Sequence, residues 1–521
     1  MYISQDQDVI IKRINRYLDL QNLPFRLNTA GMCNGLAVVR AKYRLEGRKE
    51  YFDSMLKYIA GELRPSEKDD EVDTFVFDLL KGFFPEQFDN SLSQDNSYEN
   101  FNIKGIKLKS DFSFGIVTTD VNWVEILKKI QLQEDEEMLM GSVDHRVSIS
   151  KEGHEYVLYD PNYLFGVKRF KNEETLIREL GNNSFDHPGK QFAMNVTVIR
   201  RPGAAIRNQS FPKNDLLYKD YLTEENVNND LTVHGKTINT LGLALENNHE
   251  EDVEALLSLG ATDKDNTLLG IALTRNHYRV IGSLMKRMPR ELEQGVTIKL
   301  ILIAIEAGKK EACDTLLTDN RFKEKYQELI AKTPHVLLGS AAAGGNQHLL
   351  KMIIDDCCEK KCNIANVLHN AHVKNDLVSK VITSGDYDSL KYLLSLLKKH
   401  EIDLTIEEKL AYLNETVAAN QPLNVELLLK TWNDISLENM KMSSTLVRKT
   451  DLNILLALKD RGLLFSDTSK AIIEHKKLTK PTGLKLLIGI FIESFMNYIR
   501  ELSALKINTD DNREHSNKFG M

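Results

Sequence analysis

Residues 144–162 read DHRVSISKEGHEYVLYDPN. Two short β-type runs, HRVSI at 145–149 and YVLY at 156–159, flank SKEGHE, whose Gly153 supplies a turn. The stretch is expected to fold as an antiparallel hairpin that brings its two ends side by side. Phe192–Arg200 (FAMNVTVIR) is a further strand candidate. Upstream the period is helical. Val9, Ile10, Ile14, Leu18 and Leu20 fall on one face, and Asn34–Lys42, Tyr51–Leu63 and Trp123–Leu132 read as further helices. Residues 87–112 are polar and Asn/Ser-rich, as expected of a loop. Helices first and antiparallel strands later predict an α+β domain over residues 1–200.

Downstream, residues 201–235 read as a linker, and from about 236 the chain becomes helical and self-similar. Residues 239–265 and 266–287 both carry Asn-Thr-Leu, an Ala (244 or 272), an Asn-His pair (248–249 or 276–277) and a Val (253 or 280). Weaker copies contain Ala304/Gly308/Leu316, Ala342/Gly345/Leu349, Ile382/Gly385/Leu390 and Val417/Asn420/Leu428. The pattern has a physical reason. A small residue on the first helix lets the next pair pack closely, and a Gly or Asn at the interhelical turn tolerates a left-handed conformation. The leucines of the second helix form a continuous stripe. Residues 236–465 therefore predict an all-α repeat solenoid. Residues 466–507, with an amphipathic helix at Leu484–Leu502, are expected to cap it, and 508–521 to form a disordered tail.

The Thr267-Leu268-Leu269-Gly270-Ile271-Ala272 stretch resembles the ankyrin signature T-P-L-H-x-A in its Thr267, Leu269 and Ala272, although the Pro and His are absent, and Val-to-Val or Val-to-Ala spacings vary from 27 (253 to 280) to 32 (280 to 312).

Bulk properties narrow the function. At 521 residues the chain is too long for one core. Its 68 basic and 75 acidic side chains give a net charge of −7, with no basic footprint for nucleic acid. Five cysteines are too few and too odd in number for a disulfide framework, which predicts a reducing compartment. The first twenty residues lack the apolar core of a secretory signal, and no apolar run reaches the length of a membrane span. A monomer without cofactor or metal is expected.

Cysteine catalysis needs a thiolate, a histidine that takes its proton and a group that orients the imidazole. Cys33 follows a glycine-bearing turn (Gly31-Met32-Cys33) and opens an apolar helical stretch, where a helix dipole favours the thiolate. His145 opens the first strand of the hairpin, and Asp160, in Asp160-Pro161-Asn162, ends the second. Neighbouring strands would let Asp160 receive the imidazole N–H. His154 competes for the role of His145 but falls in the turn, where a solvated histidine is expected. His187 reads as a loop residue.

The order and spacing of these residues, 112 from Cys33 to His145 and 15 from His145 to Asp160, resemble the YopT/AvrPphB family of papain-like bacterial effector proteases. The resemblance covers roughly residues 20–200. It implies a papain-like domain with a Cys33-His145-Asp160 triad and Asn28, five residues before the cysteine, as an oxyanion donor. Joined to ankyrin-like repeats, the chain is similar to secreted effectors of the Legionella type. That resemblance implies delivery by a type IV system without a signal peptide, action in the host cytoplasm or nucleus, and repeats that bind a host protein.

Two alternatives were weighed. Cys357, Cys358 and Cys362 with His369 and His372 do not match structural zinc spacing and read as repeat-core residues. A different class of function, a non-catalytic ankyrin scaffold, would keep the fold around Cys33 and lose the chemistry.

Overall fold

The computed structural model of the chain describes residues 6–478, apart from 21–26, 28–31, 65–68, 86–87, 89–91, 93, 165, 188, 206, 247–249, 264–265, 290–291, 361, 439 and 451. It divides into two compact units, Met1–Leu268 with Lys286–Met288, and Leu269–Met285 with Pro289–Met521. The first is mixed α+β and the second helical. The Leu484–Leu502 helix, the 508–521 tail and Asn28 lie outside the described residues.

The first unit opens with α1 (Gln7–Leu20), α2 (Cys33–Leu45), α3 (Lys49–Lys57) and α4 (Asp70–Phe83). A small hairpin, β1 (Asn102–Ile103) and β2 (Ile106–Lys107), leads to β3 (Ser110–Thr119) and α5 (Asp120–Ile130). Then come β4 (Glu136–Gly141), β5 (Arg146–Glu152), β6 (Glu155–Tyr159), β7 (Val167–Phe170), α6 (Glu173–Glu179) and β8 (Gln191–Arg200). The six long strands form one antiparallel sheet in the order β3-β8-β4-β5-β6-β7. In the β5–β6 hairpin Ser148 pairs with Tyr159 and Glu152 with Glu155, around a turn where Gly153 has φ +59°. The paired positions reach further toward the turn than the expected 145–149 run.

The expected loop at 87–112 is corrected. Gln94–Asn100 is a 3₁₀ helix, and β1, β2 and the start of β3 follow it. The stretch 201–235, expected as a linker, carries α7 (Asn214–Tyr221), whose Leu217 and Tyr218 are buried, and the strand β9 (Leu231–Val233). Tyr218 donates its hydroxyl to the Gly115 carbonyl of β3 at 3.2 Å, so this segment is packed, not free. The unit ends with β10 (Lys236–Ile238), α8 (Thr240–Glu246) and α9 (Glu250–Ser258).

Helix α2 is the element that positions the site. Its sequence CNGLAVVRAKYRL is buried almost throughout. It can lie that deep because Gly35 meets α4 without a side chain. A Cβ on Gly35 would come 2.9 Å from the Leu79 carbonyl oxygen, and one on Gly82 would come 3.1 Å from the Gly35 Cα. The two helices therefore cross at backbone contact, which any larger residue would prevent.

In the second unit the helices pair and stack. Gln294–Glu306, Pro334–Ala343, Ala371–Ser384 and Ile406–Ala418 pack in succession. Each is followed after a tight turn by a second helix. The turn residues Asn276, Gly308, Gly345, Gly385 and Asn420 all have φ between +58° and +77°, the left-handed region that Gly and Asn tolerate. Successive turns also hydrogen-bond. Asn346 Nδ2 donates to the Gly308 carbonyl at 2.8 Å, and Gln421 Nε2 to the Ile382 carbonyl at 2.6 Å. Among the described residues no helix is long and apolar enough to cross a membrane.

Candidate thiol site

Cys33 is the first residue of α2, where backbone N–H groups lack intrahelical acceptors and the dipole is positive. Residues 33, 37, 40 and 44 share the helix face turned toward the sheet, so the nucleophile inherits its direction from two buried arginines further along. Arg40 donates to Glu137 and Ser148, both at 3.3 Å, and Arg44 pairs with Glu137 at 3.0 Å.

At the facing end of the sheet, His145 immediately precedes β5 and Asp160 immediately follows β6. His145 Nε2 lies 2.8 Å from Asp160 Oδ1, with the two side chains 9% and 1% exposed. The carboxylate oxygen also accepts the Asn162 N–H at 2.8 Å, which fixes the Asp160-Pro161-Asn162 turn around it. With Nε2 committed to Asp160, Nδ1 is the ring nitrogen left to act on the thiol, whose sulfur lies 3.7 Å from the Asp144 carbonyl oxygen. Phe185, fully buried, packs its ring edge-on against His145 with centroids 6.0 Å apart.

The electrostatics of the pair follow from this arrangement. Burial pushes the Cys33 thiol up, but the hydrogen bond and charge of His145, with the Arg146 and Asn34 backbone N–H groups, hold it below its ordinary value. For His145 burial disfavours the charged form, yet the bonds to Asp160 and Cys33 push its pKa up to about 10. Both shifts act in favour of the thiolate–imidazolium pair. Cys313 and Cys357 behave in the opposite way: burial pushes each up to about 12. Cys33 differs from these buried core thiols in its partners and in being partly exposed.

Three features of the site were not read from the sequence. The first is the grip between the residues that follow the nucleophile and the base. Arg146 Nη1 donates to Asn34 Oδ1 at 2.9 Å and to the Gln94 carbonyl at 2.7 Å, and Asn34 Nδ2 donates to the Gly82 carbonyl at 2.8 Å. The second is Gln7. Its backbone N–H donates to the Pro161 carbonyl at 2.8 Å and its side-chain amide donates to Asn162 Oδ1. Its Oε1 accepts the Met32 N–H at 2.8 Å. One residue at the start of α1 thereby ties the turn that carries the acid to the residue before the nucleophile. A polar residue opening an amphipathic helix gave no sign of this.

The third feature is His187, which does lie in a loop but is buried. Desolvation drives its pKa down to about 4, and the neutral ring stacks on Phe192 and faces Ser142 at 3.3 Å. His154 is exposed in the β5–β6 turn, away from this constellation. Among the described residues no group of three or more His, Cys, Asp or Glu side chains is placed to hold a metal ion.

Gln7→Ala leaves the buried Met32 N–H without its acceptor. It is expected to lower the stability of the first unit by about 1–3 kcal/mol. Gln7→Glu keeps that acceptor and is expected to recover most of the loss in a urea melt.

No family profile, no curated protein and no solved structure matches this chain.

Proposed function

We propose that the first unit is a papain-like cysteine hydrolase, in the manner of the YopT/AvrPphB effector proteases, and that the ankyrin-like helical array holds its substrate or partner, a host protein. On this reading the chain is a bacterial effector that acts inside the host cell. One observation carries the chemistry: the His145–Asp160 hydrogen bond set beside Cys33, with the thiol held low and the imidazole held high.

The mechanism follows from these groups. The Cys33 sulfur attacks a carbonyl carbon, and the negative charge that develops on the oxygen is placed at the N-terminus of α2, where the Cys33 N–H can donate to it. The resemblance adds Asn28 as a second donor. Protonated His145 gives its proton to the leaving amine as the C–N bond breaks, which leaves a thioester on Cys33. His145, now neutral, takes a proton from water, and the resulting hydroxide equivalent cleaves the thioester. Asp160 keeps Nε2 protonated throughout, so that Nδ1 alone exchanges protons with the reacting atoms. The turn geometry and stacking of the second unit support the repeat reading, since each helix pair buries its stripe only against a neighbour.

The test is covalent labelling of the full chain with a peptide bearing a thiol-reactive electrophile. Selective modification of Cys33, lost in Cys33→Ala and in His145→Ala, is the expected result. If Cys33 reacts no faster than the exposed Cys358, and His145→Ala changes nothing, the hydrolase reading fails and the scaffold reading replaces it.

A further inference from the structure

The β9–β10 hairpin ends in a two-residue turn, His234-Gly235, between Val233 and Lys236, which pair across the strands. Both turn residues have positive φ, +50° and +76°, as a type I′ turn requires. Asn-Gly is the pair such turns favour, because Asn enters the left-handed region far more readily than an ordinary side chain. A histidine there gives up turn preference, and its ring makes contacts that an Asn side chain is too short to make. Nδ1 lies 3.0 and 3.3 Å from the two carboxylate oxygens of Asp144, and Nε2 lies 3.6 Å from Asp186 Oδ2. The hairpin beneath it is anchored. Leu231 and Val233 are buried in a cluster with Val117, Ala193 and Leu243, so the imidazole is presented on a fixed stem.

Asp144 is no ordinary partner. Its carbonyl oxygen lies 3.7 Å from the Cys33 sulfur, and the next two residues are His145 and Arg146, whose backbone N–H reaches the sulfur. We propose that His234 is a positioning residue of the thiol site, which holds and neutralises Asp144 so that the Asp144-His145-Arg146 segment stays set around the Cys33 sulfur. The proposal rests on the hydrolase reading for its consequence in catalysis, but the field it describes acts on Cys33 whatever the site does. Without the imidazolium, the Asp144 carboxylate keeps its full negative charge on the residue whose backbone carbonyl lies 3.7 Å from the sulfur, and that charge opposes the thiolate. The groups that face His234 are Asp144 from the β4–β5 turn, and Asp186 and His187 from the segment before β8. The two carboxylates raise its pKa, whereas buried His187 stays neutral above a pH of about 4 and repels little.

The experiment is alkylation of the full chain by iodoacetamide from pH 4 to 9, with Cys33 followed by the mass of its peptide. Wild type, His234→Asn, Asp144→Asn and the double variant are compared. Asn suits the turn better than His, so H234N retains the hairpin while removing the charge. The midpoint for Cys33 is expected to rise by about half a pH unit in H234N, which makes alkylation about threefold slower on the acid limb. The difference should shrink in 1 M salt, because the pair is open to solvent. In the D144N background H234N should have no effect, since the coupling partner is gone. Coincident midpoints for wild type and H234N, or an equal shift in the D144N background, would overturn the proposal. A wild-type midpoint in the ordinary thiol range would instead remove the hydrolase reading, and the difference between wild type and H234N would still be read from the same curves.

Discussion

Asp160→Asn is expected to reduce turnover at the Cys33 site by about 10³-fold while leaving the fold intact. The substitution keeps the shape of the side chain and an oxygen for the Asn162 N–H, and it removes the charge that faces His145 Nε2. The effect on pH dependence has a definite sign at both ends. If the site is the hydrolase proposed, wild-type activity should rise as Cys33 loses its proton, at a pH held below the ordinary thiol value by His145. It falls as His145 loses its own proton near pH 10, where the leaving group no longer finds an acid. Asp160 supports the charged imidazole, so its neutralisation lowers the alkaline limb. A less favoured imidazolium supports the thiolate less, so the acid limb moves up. The bell should therefore narrow from both sides. Alkylation of Cys33 reports the acid limb without a known substrate, and hydrolysis of a peptide amide, whose leaving amine needs the proton, reports both. Unmoved limbs in D160N would show that Asp160 is a structural anchor for its turn and nothing more.

How much of this was legible in the residues depends on whether the deciding signal was local. The β5–β6 hairpin was readable because alternating strand residues flank a glycine turn; its register continues position 160 opposite 147, and position 145, two residues before 147, is its diagonal neighbour. β8 was readable for its length. β3 was hidden within and just after the polar stretch 87–112, and β4, EEMLMG, opens with two glutamates that argue against a buried strand. Both glutamates are fully buried nonetheless, because arginines on α2 and at 207 meet them. α4, DEVDTFVFDLLKGF, has an ordinary amphipathic pattern and an Asp69 cap that accepts from Glu71 and Val72. It was passed over beside the stronger patterns. The tight turns of the helical array were anticipated from Gly and Asn alone, since backbone conformation there follows from residue type. Gln7, Asn34, Arg146 and His234 were not, because their roles exist only through partners 25 or more positions away. Asn28, chosen through the resemblance, lies outside the described residues and retains its role as a proposal.

The largest effect on stability is expected from Glu137→Leu. Glu137 on β4 is fully buried, and so is Arg40 on α2, whose guanidinium donates to it at 3.3 Å and lies 5.2 Å from the centre of the Tyr159 ring. Arg44 pairs with the same carboxylate at 3.0 Å, and Ser148 donates its hydroxyl to it. Two cations therefore depend on one anion in a water-free layer between α2 and the sheet. Removing the anion strands Arg40 as an unpaired buried charge, which costs about 3–5 kcal/mol. Arg44 is affected less, because three backbone carbonyls, Glu134, Glu136 and Lys151, also accept from it. The double variant Arg40→Met/Glu137→Leu replaces the pair by apolar groups and should recover most of the loss, since the penalty belongs to the unpaired charge and not to the absent bond. Of the two tryptophans, Trp123 lies in the first unit and Trp432 in the second, so a Trp432→Phe background makes fluorescence report the first unit alone. A urea midpoint for E137L equal to that of its parent would mean that water reaches Arg40. Recovery in the double variant accompanied by lost labelling of Cys33 would have a different meaning: the buried arginine that anchors α2 is what holds the nucleophile against His145.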